Sequence, residues 1–161
     1  TRHPSITPFE AYPTADGHLV VAAGNDALFQ RLVAALELPS LGSDPRFVSN
    51  EARCEHADAL RELLSQRLRE RTTTAWSALL EAAGVPCGPI QDVAQVLAHP
   101  QVRARNMVVG VNDPSLAAPF PVAGNPIKSP AFADPTTRRP APSLDADRAR
   151  ILAWLDEEEM R

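Results

Sequence analysis

The carboxylate best placed for chemistry sits at a break in the pattern, Gly24-Asn25-Asp26. An apolar run (HLVVAA, residues 18–23) ends there and a helical one begins. Asn25 or Asp26 can therefore cap the helix, a short side-chain oxygen accepting from its free amides. A carboxylate at a capping position is also rigid enough to face a cleft, so Asp26 is the candidate functional carboxylate. His3 stands on a loop bounded by Pro4 and Pro8 and reads as an exposed loop histidine. Cys87, inside Pro86-Cys87-Gly88-Pro89, is expected to act as a small buried hydrophobe beside a tight turn, not as a reactive thiol. No metal site is expected. His3, His18, His56 and His99 lie far apart, with no i, i+4 partner and no HExxH spacing. A GxSxG turn and a phosphate-cradling glycine loop are both absent from the sequence.

The elements that must position these residues follow from period and punctuation. Residues 9–14 (FEAYPT) and 18–23 flank Ala15-Asp16-Gly17, and Asp-Gly between two such runs signals a β-hairpin. Pro13 makes the first strand an edge, because proline cannot donate to a ladder. A helix is expected from Ala27 to about Leu36, with Leu28, Phe29, Leu32, Val33 and Leu36 on one face. Pro39 stops it. Ser49 or Asn50 then caps a longer helix over about 51–71, which buries Leu60, Leu63, Leu64 and Leu68 and leaves Arg61, Glu62, Arg67 and Arg69 as a solvated face. Thr72-Thr73-Thr74 caps a helix through Trp76 and Leu80, and Gly84 stands where a helix ends in the left-handed region. Val85–Ile90 is extended; Asp92 caps a short helix, 93–98; and residues 107–111 read as a strand. The order is ββ-αααα-β.

Half of the chain's 16 prolines fall between Asn112 and about Ser143, a composition suited to running extended over another surface. A final helix carries Ala149, Ile151, Leu152 and Leu155 on one side, with Asp145 and Asp147 near its positive end. That apolar side needs something to bury against. The fold class is α+β: a small sheet with a β-hairpin covered by several helices, then an extended proline-rich tail and a terminal helix. The chain begins at Thr1 directly on a proline-bounded loop, which suggests a piece of something longer.

The bulk numbers exclude several classes. A net charge of −4, with Lys128 the only lysine, supports no nucleic-acid footprint. No apolar run approaches the ~20 residues of a membrane span, and no signal-peptide pattern is present. Cys54 and Cys87 form no CxxC pair and read as reduced thiols of a cytoplasmic protein.

Four motifs in order, HPSITPFEAYPTADGHLVVAAGNDALFQRL (3–32), DPRFVSNEAR (44–53), EAAGVPCGPI (81–90) and HPQVRARNMVV (99–109), make nearly the whole chain resemble the class III CoA-transferases, the CaiB/BaiF group. The resemblance covers only that family's small domain and returning C-terminal segment. It implies residues 1–8 as a loop leading in from a large domain, 9–111 as the small α+β domain, and 112–161 as a proline-rich return segment with a C-terminal helix. It also implies an interlocked homodimer and a coenzyme A thioester as substrate beside a carboxylic acid, with no tightly bound cofactor. The nucleophilic aspartate would lie upstream of residue 1. His3, Pro4, Ser5 and Ile6 match the family's substrate lid, although the stretch is not glycine-rich here. Asp145-Ala146-Asp147-Arg148 replaces the family's Gly-Glu-His-Thr. The chain alone is expected to be inactive. An α-methylacyl-CoA racemase-like isomerase, in which Asp26 matches a supporting carboxylate, and a non-enzymatic binding or assembly domain are the alternatives.

Overall fold

The structure, a computed structural model, describes residues 2–159; Thr1 of the leading loop and the last two residues of the C-terminal segment lie outside the described residues. It contains two compact units, one ending at Gln91 and the other beginning at Asp92.

In the first unit β1 (Phe9–Pro13) and β2 (His18–Ala22) form the expected antiparallel hairpin, with Phe9 opposite Ala22 and Pro13 opposite His18. The turn closes from Thr14 N–H to Gly17 O at 2.9 Å. β3 (Cys87–Pro89) adds antiparallel to the other edge of β2, leaving β1 at the edge as Pro13 requires. Tyr12, Leu19 and Val21 are buried from the hairpin.

The helices cover that sheet. Asn25 is the cap of α1 (Asp26–Ala35): its Oδ1 accepts from Leu28 N–H at 2.8 Å, leaving Asp26 as the first helical residue. Phe29, Leu32, Val33 and Leu36 are buried. The helix expected over 51–71 is two. α2 (Asn50–Glu55) and α3 (Ala57–Leu68) break at His56, whose φ of −109° and ψ of 27° leave the helical region. α3 buries Leu60, Leu64 and Leu68, whereas α2 buries Arg53. α4 (Thr73–Ala82) starts from Thr72, whose Oγ1 accepts from Ala75 N–H. It ends at Gly84, whose φ of +68° few side chains tolerate. Trp76, Phe29, Phe47 and Tyr12 sit fully enclosed at the centre of the unit.

The second unit opens with α5 (Val93–Ala98), where Asp92 and Gln95 cap each other reciprocally. α6 (Pro100–Ala104) follows. The strand expected at 107–111 is present as β4 (Val108–Val111), but it does not extend the hairpin sheet. It pairs antiparallel with β5 (Phe120–Ala123) and parallel with β6 (Thr137–Arg138), both drawn from the proline-rich tail. The first compact unit accordingly closes ahead of the expected limit after Val111. Pro121 lies on the edge strand β5, where a missing donor is tolerated. Val109 and Val111 are buried, while Ile127, Phe132 and Leu144 are exposed. The terminal helix α7 (Arg148–Glu159) leaves Ile151, Leu152 and Leu155 about half exposed.

Candidate functional site

A single turn of α2 grips the leading loop. Asn50, Arg53 and Cys54 stand at i, i+3 and i+4, so they share one helical face, and all three end on Thr7. Asn50 Oδ1 accepts from Thr7 N–H at 3.1 Å, Arg53 Nε donates to Thr7 O at 2.7 Å, and Cys54 Sγ lies 3.5 Å from Thr7 Oγ1. Asn50 Nδ2 also donates to Ser5 O at 2.9 Å. Both Thr7 and Pro8 are buried.

Arg53 is fully enclosed, and each of its three guanidinium nitrogens donates a hydrogen bond. Besides Thr7 O it donates to Phe47 O at 3.0 Å and to Asp26 Oδ1 at 2.9 Å, and it stacks 4.5 Å over the Phe29 ring. Asp26 is thus the counter-charge of a buried arginine, with its own carboxylate 60% exposed. Asp26 and the 3–8 loop, singled out separately in the sequence, meet in one network through Arg53. The planar fork suits arginine here because one side chain reaches three acceptors in fixed directions.

On the loop, His3 is held three ways. Its N–H donates to Phe9 O at 2.9 Å, its ring stacks on Phe9 at 5.4 Å, and its Nδ1 accepts from Ser5 N–H at 3.2 Å. Pro4 and Ser5 are exposed and Ile6 is half-buried.

A second buried charge was not anticipated. Glu10, on β1, is 2% exposed and faces Arg61 of α3 and Arg2, while Tyr12 donates to its Oε1 at 3.3 Å. Burial pushes the Tyr12 phenol above its ordinary range, with the Arg2 charge acting against the shift. Arg61 is therefore a partner of the sheet, not a member of a solvated face. Arg67 is also no surface charge. It donates to Leu36 O at 2.8 Å and pairs with Glu37 and Glu70. Helix periodicity shows which side of α3 is polar; it cannot show that a neighbouring element lies against that side.

The hairpin turn is tied to α4 through Asp16. Its carboxylate accepts from the Thr73 backbone N–H at 2.7 Å and from the Thr73 hydroxyl at 2.8 Å, while Thr14 Oγ1 lies 2.7 Å from Thr73 Oγ1. The Thr73 backbone bond first, then its hydroxyl, holds the Asp16 carboxyl below the usual aspartate range. A carboxyl depressed by folding adds stability above its unfolded pKa, and that stability is lost as pH falls through the folded value. Asp16→Asn is therefore expected to cost most at neutral pH and to flatten the acid limb of the stability profile below about pH 4, so that variant and parent converge at low pH. Urea midpoints measured from about pH 6 down to pH 2 check this; parallel curves for variant and parent would refute it.

Cys87 lies half-buried on β3, and burial, helped by Glu81, pushes its thiol up, away from the thiolate a nucleophile needs. Among the described residues no group of three or more His, Cys, Asp or Glu could hold a metal ion. In the second unit a groove of about 340 Å³ is lined by Arg105, Lys128, Phe132 and Asp134 among others, but Lys128 is already paired with Asp134 at 2.7 Å. No helix among the described residues is long and apolar enough to cross a membrane.

Residue pattern alone singled out neither Arg53 nor Glu10, and Asn50 only as a possible helix cap, a role that Ser49 takes. Two of them lie inside the DPRFVSNEAR motif, and that motif was the available signal.

Known proteins resemble this chain in sequence and fold. The family model described as CoA-transferase family III matches residues 1–148. An acetyl-CoA:oxalate CoA-transferase of Acetobacter aceti is 38% identical over 93% of this chain and 37% of its own length. A succinyl-CoA:glutarate CoA-transferase of Homo sapiens is 34% identical over 94% of this chain and 34% of its own. The crystal structure of a CaiB/BaiF family protein from Brucella suis superposes with a TM-score of 0.79 at 35% identity, covering 96% of this chain and 39% of that one. The chain thus spans little more than a third of the length of these relatives.

Proposed function

The chain belongs to CoA-transferase family III, and from that premise we propose that it is the small domain and return segment of an enzyme that moves coenzyme A between carboxylic acids. The match of the family model over residues 1–148 carries this reading. The nucleophile is an aspartate on a large domain outside these 161 residues.

The chemistry divides one hard exchange into easier covalent steps. The aspartate carboxylate attacks the thioester carbonyl of the donor acyl-CoA. The C–S bond breaks, coenzyme A leaves as thiolate, and a mixed anhydride forms. The thiolate then attacks the aspartyl carbonyl, releasing the donor acid and leaving an aspartyl thioester. The acceptor carboxylate attacks that thioester, forming a second anhydride and freeing the thiolate. Attack of the thiolate on the acceptor's acyl carbon completes the new acyl-CoA and regenerates the aspartate. No oxidant, metal or bound cofactor enters this balance. In this reading His3, Pro4, Ser5 and Ile6 form the substrate-facing lid, and Asp26 supports them through Arg53. The working enzyme is an interlocked homodimer in the cytoplasm.

The test is acid exchange. The complete protein, given acetyl-CoA and a labelled carboxylic acid, is expected to yield labelled acyl-CoA, whereas the 161-residue chain alone yields none. Exchange by the chain alone would place the nucleophile inside it. Loss of the α-proton to deuterated water without acid exchange would replace the transferase with an isomerase.

A further inference from the structure

The carboxamide of Asn50 pins the peptide groups on either side of Ile6, taking Thr7 N–H and giving a proton to Ser5 O. Ser5 is in turn the residue whose N–H meets His3 Nδ1. A ring nitrogen that accepts an N–H carries no proton, so the neutral imidazole carries its proton on Nε2. The backbone bond from His3 N–H to Phe9 O and the stacking on Phe9 hold the rest of the residue. Nε2 has no hydrogen-bond partner among the described residues. The loop therefore carries a free imidazole N–H donor whose tautomer is set by Ser5 N–H, and Ser5 is itself held from behind by Asn50.

We infer that Asn50 is a positioning residue for His3: by fixing Ser5 and Thr7 it keeps the imidazole in the Nε2–H tautomer, ready to donate to a carboxylate oxygen of the acid substrate. The ligand class rests on the transferase reading given above; the tautomer and its dependence on Asn50 do not. A carboxylate is a fitting partner, since charge-assisted bonds from a preset donor are the stronger ones. The arrangement needs no mobile glycine loop, in keeping with the absence of glycine from residues 3–8.

The first test reads the ring itself. Long-range proton–nitrogen spectra of the 15N-labelled full chain are expected to show His3 with a protonated Nε2 and a bare Nδ1. In Asn50→Ala the His3 signals are expected to move toward a mixture of tautomers, while Asn50→Asp, which retains the acceptor for Thr7 N–H, lies between. If Asn50 merely supports the fold, the variant loses thermal stability and the His3 pattern stays put. That outcome, or a wild-type ring protonated on Nδ1, overturns the proposal. The second test uses the complete enzyme with acetyl-CoA and oxalate as probes. His3→Ala is expected to raise KM for the acid roughly tenfold or more with a smaller change in kcat, and His3→Asn, which keeps a side-chain N–H, to recover part of it. Unchanged KM in His3→Ala overturns the ligand assignment alone. No transfer by the unaltered enzyme to any of a panel of mono- and dicarboxylic acids, oxalate and glutarate included, overturns the transferase reading, and the spectra still decide whether Asn50 positions the ring.

Discussion

Arg53→Met is expected to destabilise the first unit by ~3–5 kcal/mol. The expectation comes from counting what is left behind. Arg53 is fully buried, and its removal strips partners from Thr7 O and Phe47 O. Each buried carbonyl left unpaired costs about 1–3 kcal/mol. The stacking over Phe29, 4.5 Å from its ring centre, adds a fraction more. The ion pair itself contributes little, because the Asp26 carboxylate is 60% exposed and solvent screens it. Asp26→Asn is accordingly expected to cost under ~1 kcal/mol, although it touches the same guanidinium. Arg53→Lys should recover less than half of the loss, since a point charge on a flexible stem cannot serve three acceptors in fixed directions. Urea unfolding followed by far-UV circular dichroism measures all three. Equal losses for Arg53→Met and Asp26→Asn would mean that the charge pair, not the satisfied carbonyls, holds the network together.

Trp76→Ala is the second large effect, at ~3–5 kcal/mol. The indole is fully enclosed, and its Nε1 donates to Leu68 O at 2.8 Å, satisfying a carbonyl at the end of α3. Arg67 and Arg71 stack over the ring at 5.7 and 4.9 Å. Trp76→Phe keeps an aromatic ring but loses the donor, so it should cost only about 1–2 kcal/mol. The gap between the two variants separates packing from hydrogen bonding. Near-equal losses would assign the effect to the Leu68 carbonyl instead. Far-UV circular dichroism is the suitable probe, because Trp154 in the other unit is 55% exposed and would contribute to fluorescence.

Both predictions turn on residues whose importance differs in legibility. Trp76 could be read as core from its place on the apolar side of a capped helix. Arg53 could not, since an arginine at helical spacing next to Glu51 and Glu55 reads as solvated surface. Arg61 and Arg67 were misread for the same reason. A charge is written into the sequence; whether a carbonyl, a carboxylate or water faces it depends on elements far along the chain.

The strand at 108–111 is a parallel case. Its alternation marked it as a strand, yet a strand's hydrogen-bonding edges do not name their partner. Residues 120–123 and 137–138 of the tail supply them, and the hairpin does not.

By itself the sequence determined the hairpin, the Gly84 stop, the α+β class and, through four motifs in order, the family. Those are properties of short windows: a Gly or Pro with restricted φ, an apolar period, a turn dipeptide. Only the tertiary structure decided that Asn25 and not Asp26 caps α1, and that Asp26 serves a buried arginine. It alone put Asn50 behind the loop that carries His3. The Asp26 and Asn50 contacts join residues 27 to 45 positions apart, and no local propensity encodes which distant side chain arrives at a given backbone group.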